Sequence, residues 1–165
     1  MIVVLMGVCG CGKTTVGRAL AQATGWPFLD ADDFHPEGNV AKMRAGIPLT
    51  DDDRWPWLDR LATEMATINA GGAHAVLACS ALRQAYRDRL ARAGDVRFVH
   101  LEGDRATLAS RLAARPGHYM PASLLDSQLA TLEAPAGATV VDIRLPVAAQ
   151  VAAIRSQLDL GPPTS

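Results

Sequence analysis

A short glycine-rich segment, residues 7–14, places the tightest limit on what this chain can fold into. It follows the pattern G-x-x-x-x-G-K-[ST], in which glycines allow successive backbone N–H groups to turn towards one point. The apolar, β-branched run Ile2–Met6 precedes it and predicts a buried strand. The amphipathic stretch Lys13–Thr24 follows it and predicts a helix that ends at Gly25. A strand, a glycine loop and a helix in this order predict a phosphate-binding loop.

The side chains of this loop suit the phosphates of ATP and a magnesium ion. Lys13 can reach the β- and γ-phosphates as a point charge, and the Thr14 hydroxyl can coordinate Mg²⁺. A glycine-rich turn with a chance lysine is the alternative, but the strand and the helix on either side favour the phosphate site. The predicted ATP contacts of the loop are Gly7, Val8, Cys9, Gly10, Cys11, Gly12, Lys13, Thr14 and Thr15.

Length and composition exclude several classes of protein. The 165 residues predict a single domain over about residues 1–160, with residues 161–165 as a disordered tail. A net charge of -1 argues against nucleic acid as a partner. No apolar run is long enough to span a membrane, and no charged n-region of a signal peptide precedes the first strand. The odd set of three cysteines favours a reduced, cytoplasmic protein.

Strands alternate with helices along the rest of the chain. Further strands are predicted at residues 26–30, 75–79, 96–101 and 139–143. Helices are predicted at about residues 39–45, 54–70, 83–92, 104–114, 121–132 and 147–158. This alternation predicts an α/β fold of the P-loop NTPase type: a three-layer sandwich with a five-stranded parallel sheet at its centre and helices on both faces.

Two carboxylates, Asp30 and Asp32, follow the second predicted strand. Residues two apart in an extended strand point to the same side, and ligands of α/β sheets bind at the carboxyl ends of the strands. We therefore predict that both side chains face a ligand. The alternative is that Asp30 or Asp33 only caps a turn.

Arginines at the starts or ends of predicted helices form a second set of candidates. Arg54 and Arg83 stand at helix starts, where the helix dipole does not stabilise a cation, so a ligand contact is favoured. Arg111 and Arg115 are four residues apart and are predicted to share one helical face, with a solvated surface as the alternative. Three further arginines are interpreted as solvated surface residues: Arg87, Arg89 and Arg92.

Cys11 has three open interpretations, of which a C-x-C metal pair with Cys9 is the weakest, because no third or fourth ligand is evident in the sequence. A thiol beside a helix N-terminus and Lys13 is expected to be more acidic and more reactive than an ordinary cysteine. The alternative is an inward-facing side chain that serves as a small apolar filler.

In its motifs the chain resembles the small bacterial-type gluconate kinases, within the shikimate-kinase and adenylate-kinase-like P-loop group. Besides the loop, the matching pieces are LDADDFHP at 29–36, GIPLTDDDR at 46–54, PWL at 56–58, ACSALR at 78–83, YRD at 86–88, SRL at 110–112, RPGH at 115–118, and Gln128 with Leu132 and Glu133. Together they cover most of the chain in order. The family usually has Ser at Cys9 and Cys11 and Lys at Arg83.

This resemblance implies ATP-dependent phosphorylation of D-gluconate to 6-phospho-D-gluconate, with Mg²⁺, in a homodimer. Two alternatives stay open: a kinase of the same fold for shikimate or a nucleotide, and a non-catalytic nucleotide-binding module.

The resemblance also implies roles for particular residues. It implies that Asp32 holds the acceptor hydroxyl, and that Asp30 lies near the metal with Thr14. Arg111 would lie near the adenine, and Arg115 would belong to a helical lid over about residues 115–133. The implied catalytic residues are Lys13, Asp32 and Arg115. The implied gluconate-binding residues are Asp32, His35, Arg54 and Arg83, with His35 as a turn residue the equal alternative.

Overall fold

The computed structural model describes residues 1–115 and 122–161 and contains one five-stranded parallel sheet. The strands are β1 (Ile2–Met6), β2 (Phe28–Asp30), β3 (Ala75–Ala78), β4 (Val96–Glu102) and β5 (Thr139–Asp142). They lie in the order β2-β3-β1-β4-β5, and every neighbouring pair is parallel. The predicted sheet is thus confirmed.

Seven helices surround the sheet in the described ranges. They are α1 (Lys13–Thr24), α2 (Glu37–Arg44), α3 (Asp51–Ala70), α4 (Gln84–Ala91), α5 (Arg105–Ala113), α6 (Ala122–Thr131) and α7 (Val147–Leu158). None of these described helices combines the length and the apolar character that a bilayer crossing needs. The lid prediction falls partly on residues 116–121, and the tail prediction on 162–165; both stretches lie outside the described residues.

Alternate side chains of β1 enter two separate hydrophobic cores. Val3 and Leu5 belong to one core, with residues of α1, α5 and α7. Ile2, Val4 and Met6 belong to the other, with residues of α3 and α4. Because neighbouring strand residues point to opposite faces, a central strand buried on both faces must be apolar at every position. The predicted three-layer arrangement follows from this strand and is confirmed.

Helix α3 begins three residues earlier than predicted. Thr50 Oγ1 accepts the Asp53 N–H at 3.2 Å, and Asp53 Oδ2 accepts the Thr50 N–H at 2.9 Å, which completes a capping box. A hydrogen bond from Lys42, with further ones from Thr50, lowers the pKa of Asp53 to about 2. Asp51 therefore lies in the first turn of α3 and not before it.

Strand β2 ends at Asp30, and residues Ala31–Phe34 form a 3₁₀ turn. Asp30 Oδ1 accepts the Asp32 N–H at 3.0 Å and so caps this turn. The prediction that Asp30 and Asp32 share one face of an extended strand is wrong, because Asp32 lies in the turn. The turn, not the strand, decides where the Asp32 carboxylate points.

The interpretation of Arg87 as a solvated surface residue is also wrong. Arg87 is 2% exposed. It donates to Ala81 O at 2.7 Å and to Glu133 O at 2.8 Å. Ala81 has a positive φ of 45°, so Arg87 holds a turn that an alanine rarely adopts. By contrast, Arg89 pairs with Asp59 at 2.7 Å, and Arg92 is exposed.

Candidate active site

The glycine loop connects β1 to α1 at the carboxyl ends of the strands. Gly7, Gly10 and Gly12 have φ values of 145°, 83° and 94°. A Cβ on Gly7 would lie 2.8 Å from Cys11 Sγ and 2.9 Å from Leu101 O. The backbone can therefore curl this tightly only with glycine at these positions.

Lys13 folds back over the loop that precedes it. Its Nζ donates to Gly7 O at 2.9 Å and to Val8 O at 3.2 Å. An ammonium group has three N–H donors, and these two bonds, together with a longer contact to Cys11 Sγ, fix its position above the loop. A cleft of about 320 Å³ opens here, lined by Cys9, Gly10, Gly12, Lys13, Thr14, Asp32, Ser80, Arg115 and Gln128.

Cys11 is fully buried, with no exposed surface. Its sulfur fills the space below Gly7 and lies 3.7 Å from Lys13 Nζ. A reagent in solution cannot reach such a thiol without local opening of the loop, so the geometry favours the apolar filler over the reactive thiol. The neighbouring Cys9 is half-buried, and burial raises the pKa of its thiol.

Asp32 stands at the edge of the cleft that holds Lys13. Its side chain is 81% exposed, so the cleft walls desolvate the carboxylate only in part. This desolvation raises the pKa of Asp32, and the charge of Asp30 raises it further, while His35 and Lys13 oppose the shift. Asp32 is thus a carboxylate that protonates at higher pH than an ordinary aspartate.

His35 is buried directly behind Asp32. Its ring stacks on Trp57, with the centroids 4.2 Å apart, and burial lowers its pKa, so the ring is neutral at pH 7. Asn39 Nδ2 lies 2.9 Å from Asp53 O and 3.2 Å from His35 Nδ1. Because the Asp53 carbonyl can only accept, the Asn39 side-chain atom that faces it must be the amide nitrogen, which donates. The same nitrogen donates to His35 Nδ1, so Nδ1 is the acceptor and Nε2 carries the proton of the neutral ring. Nε2–H lies 3.9 Å from Asp32 Oδ1.

The two predicted substrate arginines meet at one carboxylate. Arg54 NH1 lies 3.4 Å from Asp51 Oδ1, and Arg83 NH1 lies 3.4 Å from Asp51 Oδ2. Tyr86 donates its hydroxyl to Asp51 Oδ1 at 2.5 Å. This hydrogen bond, followed by the charges of Arg83 and Arg54, lowers the pKa of Asp51. The tertiary structure thus brings Arg54 and Arg83 together, although they are far apart in sequence.

Arg111 and Arg115 do not share a helical face, which corrects the prediction from their spacing. Helix α5 ends at Ala113, and Arg115 lies beyond it, on the wall of the cleft with Lys13. Arg111 donates from NH2 to Ile143 O, just after β5. Arg111 is therefore fixed to the end of the sheet, and only Arg115 lines the cleft.

The oxygen atoms near the loop suit a magnesium ion that also binds phosphates. Mg²⁺ prefers oxygen ligands and usually takes only one or two from the protein, with phosphate oxygens and water completing its shell. Thr14 offers an exposed hydroxyl on the cleft wall, and Asp30 offers a carboxylate at the end of β2. Within residues 1–115 and 122–161, no three Asp, Glu, His or Cys side chains form a cluster that could hold a metal without phosphates.

Comparisons with known proteins agree with this arrangement. A family model described as an AAA domain matches residues 2–135. A probable gluconokinase of Xenopus tropicalis is 44% identical over 96% of this chain and 94% of its own. The gluconokinase of Gluconobacter oxydans is 52% identical over 80% of this chain and 75% of its own. The crystal structure of a gluconokinase from Sinorhizobium meliloti has a TM-score of 0.86 and 45% identity, over 95% of this chain and 90% of that one.

The chain belongs to the gluconokinase family. The AAA-domain match includes the glycine loop, the 3₁₀ turn with Asp32, and the arginine pair. Both sides of the cleft thus lie within the matched region.

Sequence reasoning missed three residues of this gluconokinase site. Asp51 and Tyr86 hold the arginine pair. The sequence did contain a signal for the contact of Asp51 with Arg54, because residues three apart on a helix are neighbours. Gln128 is the third: its Oε1 accepts the Cys9 N–H at 2.7 Å. These two residues are 119 apart in sequence, and no local pattern predicts such a contact.

Proposed function

We propose that this chain catalyses the ATP-dependent phosphorylation of D-gluconate to 6-phospho-D-gluconate. The observation that carries the proposal is the cleft itself, because it combines the loop lysine Lys13 with the acceptor-side carboxylate Asp32. Phosphoryl transfer depends mainly on positioning and on charge stabilisation. A site with a phosphate cradle and a carboxylate at its edge meets the first requirement.

On the nucleotide side, the backbone N–H groups of the loop and Lys13 bind the phosphates of ATP. Arg115, on the same cleft wall, stabilises negative charge on the transferred group. Thr14 and Asp30 would hold a Mg²⁺ ion together with the phosphates, and the ion would neutralise part of the phosphate charge. Arg111 lies at the end of the sheet near Ile143, where we place the adenine contact.

On the acceptor side, Asp32 accepts a hydrogen bond from the reacting hydroxyl and orients it. A raised pKa makes Asp32 a better proton acceptor than an ordinary aspartate. His35 Nε2 lies 3.9 Å from Asp32 Oδ1 on the protein side, a distance that leaves the carboxylate without a direct hydrogen bond from the ring. Gluconate carries one carboxylate, and Arg54 and Arg83 supply a pair of guanidinium groups to receive it.

The deciding experiment measures ADP release with ATP, Mg²⁺ and a panel of acceptors. D-gluconate should give the highest kcat/KM. Glucose tests whether the carboxylate matters, and shikimate and nucleoside monophosphates test the other kinases of this fold. No ADP release with any acceptor would favour a non-catalytic nucleotide-binding module. Preference for shikimate or a nucleotide would reassign the substrate but keep the kinase chemistry.

Magnesium dependence, a homodimer and a cytoplasmic location also belong to this proposal. The resemblance to gluconate kinases supports the first two, and three cysteines without a disulfide support the third. Loss of activity with EDTA and recovery with MgCl₂ test the metal. Light scattering coupled to size exclusion tests the dimer.

A further inference from the structure

Gln128, on α6, takes one of the backbone donors of the phosphate-binding loop. Its Oε1 accepts the Cys9 N–H at 2.7 Å, close to the optimum for such a bond. The oxygen and nitrogen of a glutamine amide are often interchanged in structures. The orientation of the Gln128 amide is fixed by its partner, because a backbone N–H can only donate and must therefore face the amide oxygen.

The donor concerned belongs to the loop that the sequence predicts to bind phosphate. Cys9 lies between Gly7 and Gly10, within the predicted phosphate-binding loop, and it lines the cleft together with Lys13. One N–H carries one proton, so a phosphate oxygen and Gln128 Oε1 cannot both accept it at 2.7 Å. ATP in the loop and Gln128 on the Cys9 N–H are therefore mutually exclusive at this atom.

Gln128 can leave this position without movement of its helix. Leu125 fixes α6 in the core and is 1% exposed. Just beyond α6, the Glu133 N–H donates to Leu82 O at 2.8 Å. We expect a change of side-chain rotamer to release the Cys9 N–H while α6 stays in place.

We propose that Gln128 is a positioning residue of the nucleotide site that competes with ATP phosphate for the Cys9 N–H. Its side chain keeps this donor hydrogen-bonded, and bound ATP replaces it. Gln128 therefore lowers the affinity for ATP. The inference rests on the proposed function only in requiring that ATP phosphates occupy the loop.

The test compares Mg·ATP binding by calorimetry in four proteins: wild type, Gln128→Ala, Gln128→Met and Gln128→Glu. Removal of the competing oxygen in the Ala and Met variants should tighten binding about two- to tenfold, the scale of one net hydrogen bond. The Glu variant keeps an oxygen at this position and adds a negative charge, so it should bind ATP at least about tenfold more weakly. Ser127→Ala, on the same helix and exposed, is the matched control and should bind like wild type.

Competition predicts tighter ATP binding in the Ala and Met variants and weaker binding in the Glu variant. A merely structural role of Gln128 would weaken ATP binding in all three variants. Gln128→Met keeps the length of the side chain and guards against a packing defect in Gln128→Ala. Equal or weaker ATP binding by both variants would overturn the inference and leave the kinase proposal intact. Failure of the wild type to bind Mg·ATP would overturn the proposed function and the inference with it. The Cys9 amide proton resonance should also move upfield in both variants, since it loses its acceptor.

Discussion

The two sides of the cleft are built in different ways. The phosphate cradle of the nucleotide side is one continuous segment, residues 7–14, and most of its donors are backbone N–H groups in a stretch with three glycines of positive φ. The acceptor side collects side chains from three places: the 3₁₀ turn, the first turn of α3 and the start of α4. The geometry of the phosphate loop therefore depends on residues that are neighbours in sequence. The geometry of the acceptor side depends on how the separate elements pack together.

This difference explains where substitutions are tolerated. Cys9 and Cys11 stand where gluconate kinases usually have serine, and neither change removes a backbone donor. On the acceptor side, Arg83 stands where the family usually has lysine, a change that keeps the positive charge, and Arg54 and Arg83 both contact the same carboxylate of Asp51. We therefore expect few side chains to matter on the nucleotide side and nearly every one on the acceptor side. The predictions that follow test this contrast.

Lys13 should be the exception on the nucleotide side and give the largest effect. Lys13→Ala removes the charge above the loop and should lower kcat about a thousandfold, at the upper end for loss of one transition-state donor. Circular dichroism should show an intact fold, since Lys13 lies outside the apolar face of α1. The other lysine of the chain, Lys42, pairs with Asp53 and serves as the control, because Lys42→Ala should leave kcat within about threefold. Near-normal turnover by folded Lys13→Ala would remove the loop from the mechanism.

On the acceptor side, Asp32→Asn should lower kcat about a hundredfold, the scale of a positioned acid–base group. The amide keeps the shape of the carboxylate but is a poor proton acceptor. Asp33→Asn, in the same turn, is the matched control and should change kcat little. A loss below about threefold for Asp32→Asn would place the acceptor contact at another residue. Steady-state kinetics with saturating ATP and gluconate measure both.

The arginine pair should affect binding of gluconate more than the chemical step. Arg54→Ala and Arg83→Ala should each raise the KM for gluconate about tenfold or more, the scale of a lost charge-assisted hydrogen bond. The KM for ATP should stay nearly constant. Because both arginines contact Asp51, the double variant should lose less than the product of the single losses.

Arg92→Ala, at the exposed end of α4, is the control for this pair and should bind gluconate like the wild type. Strictly multiplicative losses in the double variant would show that the two arginines act independently. That result would contradict the description of the acceptor side as one connected cluster.

The smallest effect concerns pH. Ionised Asp32 is the active form, so kcat/KM should fall as the pH drops through its raised pKa. The charge of Asp30 contributes to this increase in pKa. Asp30→Asn should therefore move the acid limb of the kcat/KM profile to lower pH, whatever it does to the maximum rate. Asp52→Asn, an exposed residue of α3, should leave the limb in place. A limb that moves to higher pH in Asp30→Asn would contradict the electrostatic account of Asp32.

Much of the fold could be predicted because it depends on residues that are neighbours in sequence. Helices α1 and α7 have the predicted bounds, Lys13–Thr24 and Val147–Leu158. Gly25 ends α1 with a φ of 74°, as its position predicted. Asp104 caps α5 by accepting the Thr107 N–H at 2.7 Å. Periodicity, caps and glycines act over a few residues, so the chain carries these signals locally.

The sequence alone determined the glycine loop, the alternation of strands and helices, and therefore the carboxyl edge of the sheet as the place of the site. Only the tertiary structure decided the rest: the turn that aims Asp32, the burial of Arg87, the meeting of Arg54 and Arg83 at Asp51, and the contact of Gln128 with Cys9. The reason is physical. A loop or a helix is stabilised by hydrogen bonds within a few residues. The contacts of Asp51 with Arg83 and of Cys9 with Gln128, by contrast, join residues 32 and 119 positions apart, and packing of whole elements brings them together.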